Sequence, residues 1–328
     1  MRRTAPKLAT LAAATLVAIG AGALAASEPA QATFPGINGK IAFVSDRAGN
    51  NEIYTVWFTG DNLTRLTHNS KPDSAPSWSA DGKKVAFERG RSLYTMNAYG
   101  SRQRKVPNTS FYNYDLGGRL ISYGGNPAFS PSGRKIIYDA GDIYTINVDG
   151  TNRTRITDYK PSDPYEENPP FANPVWSPVS NKIAFTWSTQ IHVMPLSDLI
   201  GEKYLGDGPA PSQVTPRWTY RPDWSPDGAQ IAFECYYDPC SDSPSEPPSV
   251  NPEIYKANAN GTGDPIRLTN DPATDTYPAF SPGGGKIVFS SDRDGDYDIY
   301  VMDADGTNVQ QLTNNPAKDV LPDWQPVQ

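Results

Sequence analysis

Histidine and cysteine are nearly absent from this 328-residue chain, which has two of each and only four methionines. Two histidines exclude a three-histidine metal centre. His68 stands where Leu312-Thr313-Asn314 has its Asn, and His192 stands where a sister segment has Tyr300, so both read as substitutions within a repeat. There is no Gly-x-Ser-x-Gly elbow and no glycine-rich phosphate loop between a strand and a helix. Long helices are disfavoured as well, because 32 Pro and 27 Gly call for many short elements joined by turns. Those residues are too few and too aperiodic for collagen, and an aromatic content of 11 % argues against disorder.

The first segment is an address. Arg2, Arg3 and Lys7 precede an Ala- and Leu-rich stretch from Leu8 to Leu24, and Ala30-Gln31-Ala32 forms a small-x-small cleavage site, so residues 1–32 read as a secretory signal. A membrane anchor is the weaker reading, since the apolar run is short and a small-residue site follows it. Thr4-Ala5-Pro6 lacks the pattern of a folded-protein export signal behind its arginine pair. Cleavage removes Arg2, Arg3 and Lys7 from 29 basic residues and Glu28 from 36 acidic ones, which moves the net charge from −7 to −9. Such acidity disfavours nucleic acid and anionic lipid as partners. The expected location is secreted, extracellular or cell-envelope, and periplasmic where the source has an outer membrane. There Cys235 and Cys240 should be oxidised to a local disulfide, which would stabilise by roughly 2 kcal/mol and shape one loop.

One phrase recurs along residues 33–328. It reads PSWSADGKKVAF at Pro76–Phe87, PAFSPSGRKIIY at Pro127–Tyr138, PVWSPVSNKIAF at Pro174–Phe185, PDWSPDGAQIAF at Pro222–Phe233 and PAFSPGGGKIVF at Pro278–Phe289. The anchors Trp78, Phe129, Trp176, Trp224, Phe280 and Trp324 are 51, 47, 48, 56 and 44 residues apart, the length of one four-stranded propeller blade. Ser-Pro-Asp-Gly is a type I turn signal joining a Trp or Phe strand to an Ile-Ala-Phe strand. A third strand such as Asp298–Met302 follows, then an Asp-Gly turn, then a fourth at Arg155-Ile156-Thr157 or Gln311-Leu312-Thr313. These strands are apolar on both faces, as blades sandwiched between blades require. The chain opens on an Ile41-Ala42-Phe43 strand with no Trp strand before it and closes on a Trp324 strand with nothing after it. The expectation is therefore an all-β, six-bladed propeller closed by the C-terminal strand completing the N-terminal blade.

SDRAGNNEIY at Ser45–Tyr54, SDRDGDYDIYVMDADGTNVQQLTNNPAKDVLPDW at Ser291–Trp324 and the PDWSPDG phrase resemble the TolB-type propeller repeat, a WD-like motif of secreted and periplasmic proteins. The resemblance covers essentially residues 33–328 and implies the fold. It leaves function open, because the repeat also occurs in Tol-Pal components, peptidase accessory domains and lyases. The Tol-Pal protein has a separate domain ahead of its propeller, whereas here the first blade follows directly on the expected cleavage site.

Loops from fourth strand to next first strand, and from second to third, should share one face of such a ring. That face carries the long insertions at 108–126, 158–173 and 235–252, rich in aromatic residues that include Tyr112 and Tyr114. Trp218 and Tyr220 lie in the connection to the fifth Trp strand, and Arg221 and Tyr277 each precede the Pro of a Trp strand. Asp73, Asp275 and Asp319 stand three residues before such a Pro, either as a polar ring for a ligand or as turn residues pairing with Arg47 and Arg293. Glu88, Asp139 and Glu234 follow the aromatic of their Ile-Ala-Phe strands and are the carboxylates available to channel chemistry. The run Asp292–Asp298 alternates acids like a calcium loop but lacks Gly at the sixth position and a distal Glu, so it reads first as a repeat turn and no cofactor is required. The expected function is binding or scaffolding of a protein, peptide or glycan on the long-loop face, by a monomer without stable membrane insertion. The alternative is a channel-centred hydrolase or lyase using carboxylates and a divalent cation.

Overall fold

Two-sided apolar strands determine how the layers stack. In the strand Ile37–Ser45, Ile41 and Phe43 face one neighbouring blade while Ala42 and Val44 face the other. The computed structural model describes residues 36–110, 125–157, 171–196, 211–241 and 251–327. These form six four-stranded antiparallel sheets. Among the described residues no helix is long and apolar enough to cross a membrane.

Blade 1 is Asp319–Val327, Ile37–Ser45, Glu52–Trp57 and Thr64–Arg65, so the last strand of the chain is its innermost. Blade 2 runs Asp73–Trp78, Lys84–Arg89, Ser92–Asn97 and Arg104–Ser110, and blade 3 Ala128–Phe129, Lys135–Asp139, Ile143–Asn147 and Thr154–Arg155. Blade 4 is Ala172–Trp176, Lys182–Trp187, Gln190–Pro195 and Ser212–Gln213. Blade 5 is Thr219–Trp224, Gln230–Cys235, Glu253–Asn258 and Ile266–Arg267. Blade 6 is Asp275–Phe280, Lys286–Ser291, Asp298–Asp303 and Gln310–Gln311. Each pair of adjacent blades encloses its own apolar cluster. At the closure, Ile41, Phe43 and Trp324 of blade 1 pack on Ala279, Val288 and Ile299 of blade 6. Burial of such residues, at about 25 cal/mol per Å2, drives the stacking of otherwise independent sheets.

The repeat's polar residues hold local geometry. In Ser225–Gly228 the Ser225 hydroxyl donates to Asp227 at 2.6 Å and accepts from the Gln230 amide at 2.9 Å, closing the turn. Gly82 has φ +63°, and a Cβ there would stand 2.0 Å from the carbonyl oxygen of Pro326, so only glycine lets this turn abut the closing strand.

Two expectations change. The Leu-Thr and Ile-Thr pairs lie just past the outer strands, which are shorter and end two residues earlier, as at Thr154–Arg155 and Gln310–Gln311. The threonine hydroxyls instead cap the third strand. Thr67, Thr109, Thr157, Thr215, Thr269 and Thr313 each accept from the amide of the Ile or Leu that enters it, at 2.9–3.1 Å. Length variation is also not confined to one face, because the connection from Gln190–Pro195 to Ser212–Gln213 is long and belongs to the tight-turn side.

Candidate functional site

A proline stands two residues before the Trp or Phe anchor of each blade, and in five blades the residue before it is left-handed: Ala75, Asn173, Arg221, Tyr277 and Leu321 have φ of 47–58°. That region is sparsely occupied by side chains other than glycine, and the residue before proline normally avoids helical angles, so the surrounding sheet must impose the conformation. The strand pairing slips at the same points, between Ser74 and Ser77, Tyr220 and Asp223, and Thr276 and Ala279. These are bulges that re-aim a side chain. With Asn126 of blade 3, the five residues line a central cavity of about 160 Å3.

The chemistry is concentrated in blades 5 and 6. Arg221 donates to Oε2 of the fully buried Glu234 at 2.6 Å, and its guanidinium lies 4.2 Å from the centre of the Tyr277 ring. The other Glu234 oxygen accepts from the Tyr277 amide at 2.7 Å and from the Thr276 hydroxyl. Beside this pair, Tyr220 meets Tyr236 edge-on at 5.5 Å and Trp218 meets Tyr237 at 6.0 Å. The disulfide Cys235–Cys240 brackets both tyrosines, and Asp238 inside its loop pairs with Arg267. Trp218 remains 39 % exposed, which leaves an aromatic surface open to water in the same blade as Arg221.

Four further carboxylates lie in or near the cavity wall, two of them lining it. Asp223 and Asp323 line it, and each accepts an amide hydrogen from the following blade, Phe280 at 2.7 Å and Trp78 at 2.6 Å. Burial pushes Asp223 up to about 8, with repulsion from Asp323 adding to it, and burial pushes Asp323 up to about 7. Asp139 accepts from the Gly125 amide at 2.8 Å, the Asn126 amide group at 3.0 Å and the Asn173 amide at 2.8 Å, yet its burial still raises its pKa. Glu88 is raised to about 8 by burial and by the nearby Asp139.

Of the residues singled out in sequence, Arg221 and Tyr277 meet at the cavity wall, with Trp218 and Tyr220 adjoining them. Tyr220 lies within the inner strand, not in the connection before it. Asp73, Asp275 and Asp319 are fully buried and do not line the cavity; they pair with Arg89, Arg293 and Arg47 at 2.7, 2.9 and 2.5 Å. Those guanidiniums stack on aromatic pairs, such as Phe87 and Tyr94 at 5.2 and 5.0 Å. Tyr112 and Tyr114 lie outside the described residues. Asp294, Asp296 and Asp298 bring carboxylate oxygens within 4.8 Å of one another, but Asp294 is exposed and Asp298 is engaged by Thr313 and Gln311. His192 is buried against Phe185 and Trp187, at 6.0 and 5.1 Å, and burial lowers its pKa. Asn126, Asn173, Asp223 and Asp323 were not singled out. Their signal was variation beside a constant proline: Ala, Asn, Asn, Arg, Tyr and Leu precede it, and only two blades follow it with Asp.

Comparison with known proteins agrees with this architecture. A family model described as a TolB beta propeller domain matches residues 166–328. A protein TolB homolog of Chlorobaculum tepidum is 29 % identical over 119 residues, which are 36 % of this chain and 26 % of the relative. An uncharacterised protein of Agrobacterium fabrum is 24 % identical over 246 residues, 73 % of this chain and 75 % of its own. The chain thus matches only about a quarter of the Chlorobaculum relative's length. The crystal structure of TolB from Acinetobacter baumannii superposes with a TM-score of 0.66 at 20 % identity, over 88 % of this chain and 67 % of that one.

Proposed function

Since the chain is a TolB-like six-bladed β-propeller, we propose that it is a binding protein of the cell envelope or the extracellular space. It holds a peptide segment of a partner protein at the long-loop mouth of its channel. The single observation that supports this reading is the Arg221 guanidinium lying on the Tyr277 ring at the cavity wall, with the Tyr220–Tyr236 and Trp218–Tyr237 pairs carried by the same blade as Arg221. Aromatic rings supply contact area at low entropic cost, and a guanidinium held by Glu234 offers its remaining N–H groups to a peptide carbonyl or carboxylate. Among the described residues the site pairs no nucleophile with a base and Glu234 is committed to Arg221, which favours a binding reading over a catalytic one.

Residues 1–32 are proposed to direct export and 33–328 to form the propeller. The test is affinity capture from the secreted and envelope fractions of the source cells with immobilised protein, identified by mass spectrometry. The reading expects partners lost on Tyr277→Ala and on Trp218→Ala. Retention of the same partners by both variants would place binding elsewhere, and a sugar captured in place of a protein would favour a glycan ligand.

A further inference from the structure

Blades 2 and 5 carry a carboxylate at the same repeat position, Glu88 after Phe87 and Glu234 after Phe233, but only one of them has a counter-charge. In blade 5 the residue before the inner-strand proline is Arg221, which covers Glu234 at 2.6 Å. In blade 2 the corresponding residue is Ala75, with φ 47° against 55° for Arg221, so the backbone is the same and the guanidinium is missing. Among the described residues no donor or cation reaches the Glu88 carboxylate. It packs against Gly125, where a Cβ would stand 2.6 Å from its Oε2, and Asp139 is a second negative neighbour. Independently, the adjoining cavity is lined by Asp223 and Asp323, and Arg221, the one cation lining it among the described residues, is already paired.

We propose that the channel mouth accepts a lysine or arginine side chain of the partner segment, whose cationic head takes beside Glu88 the place that Arg221 fills beside Glu234. The inference rests on the peptide-binding reading and names the chemistry of its ligand. In a six-membered ring blades 2 and 5 lie opposite each other, so the mouth offers a guanidinium with aromatic rings on one side and an uncovered carboxylate on the other. A segment is then read in one orientation, with its basic residue toward blades 2 and 3. Ala75 leaves the room that a long side chain requires, and the chain's net charge of −7 favours approach of basic partners.

The test is selection of a random displayed-peptide library on the immobilised full chain, followed by titration of the selected peptides. Two variants probe the site from opposite directions. Glu88→Gln removes the carboxyl group that can ionise beside a cation while keeping the shape. Ala75→Arg installs in blade 2 the guanidinium that blade 5 has, and fills the site from within. The expected result is a Lys or Arg at one fixed position of the selected peptides and a loss of affinity of about ten-fold or more on both variants, with Lys→Gln peptides weakened on the wild-type chain alone. Selected peptides without a fixed basic residue, or binding unchanged by both variants, would overturn the inference while leaving peptide binding intact. Failure to select any peptide would overturn both.

Discussion

The carboxylate of Asp323 accepts the amide hydrogen of Trp78 at 2.6 Å, and so ties the closing strand of the ring to the blade that follows it, across 245 residues of sequence. Asp223 does the same for Phe280 between blades 5 and 6. Asp323→Ala removes this acceptor from a buried N–H, and is expected to lower unfolding free energy by about 1–3 kcal/mol. Asp323→Asn, which retains a carbonyl acceptor, should cost less. Urea denaturation of both variants measures the difference, and equal losses would show that the hydrogen bond is not the cause.

The same carboxylates set a pH dependence of definite sign. Asp223 and Glu88 titrate near 8 and Asp323 near 7 in the folded chain, all above their ordinary values. The folded state therefore holds protons that the unfolded state has released. The stability this contributes is complete below the ordinary carboxylate range and is lost as pH rises through about 7–8. The melting temperature should fall between about pH 5 and about pH 9, and Asp223→Asn and Glu88→Gln should each flatten that fall. Profiles parallel to the wild type would contradict the assignment.

The Thr313 hydroxyl accepts from the Ile299 amide at 3.0 Å, as a threonine does in every blade, and also donates to Asp298 at 2.8 Å. Thr313→Val conserves volume but leaves the amide and the carboxylate each without one partner. A loss of about 1–3 kcal/mol is expected in chemical denaturation, and Thr157→Val in blade 3 should cost a similar amount.

Reduction of Cys235–Cys240, or its replacement by two serines, should cost roughly 2 kcal/mol by the chain-entropy argument. The greater consequence is local. Tyr236 and Tyr237 are presented by the bracketed loop, so captured partners should bind more weakly even under conditions where circular dichroism shows the propeller intact.

Much of the ring was legible in the chain because its determinants are periodic. The Trp and Phe anchors, the Ser-Pro-Asp-Gly turns and the two-sided Ile-Ala-Phe strands each occupy a fixed place in the repeat, and the missing half-blades at Ile41 and Trp324 complete each other. The threonines were misread as strand, since a side chain that caps an amide looks in sequence like one more β-former. Asp73, Asp275 and Asp319 allowed either a polar ring or pairing with the repeat's arginines, and each begins its strand where a same-blade arginine covers it. Asp223 and Asp323 were hidden inside a motif whose function seemed to be spacing. Arg221 was singled out for its place before proline, but its pairing with Glu234 and Tyr277 depends on the direction in which a left-handed residue throws its side chain, and no period encodes that.

The left-handed residue before each inner-strand proline separates two demands that usually compete. Its backbone is the same whatever the side chain, as Ala75, Asn173, Arg221, Tyr277 and Leu321 demonstrate, and all five line the cavity, although Tyr277 and Leu321 also pack against the cluster between blades 1 and 2. Substitution at Ala75 and Asn173, which belong to no such cluster, should therefore alter what the propeller recognises without altering whether it folds. The ring carries a short alphabet on a fixed dial, one letter per blade, and some of those letters can be respelled while the dial itself stays unchanged.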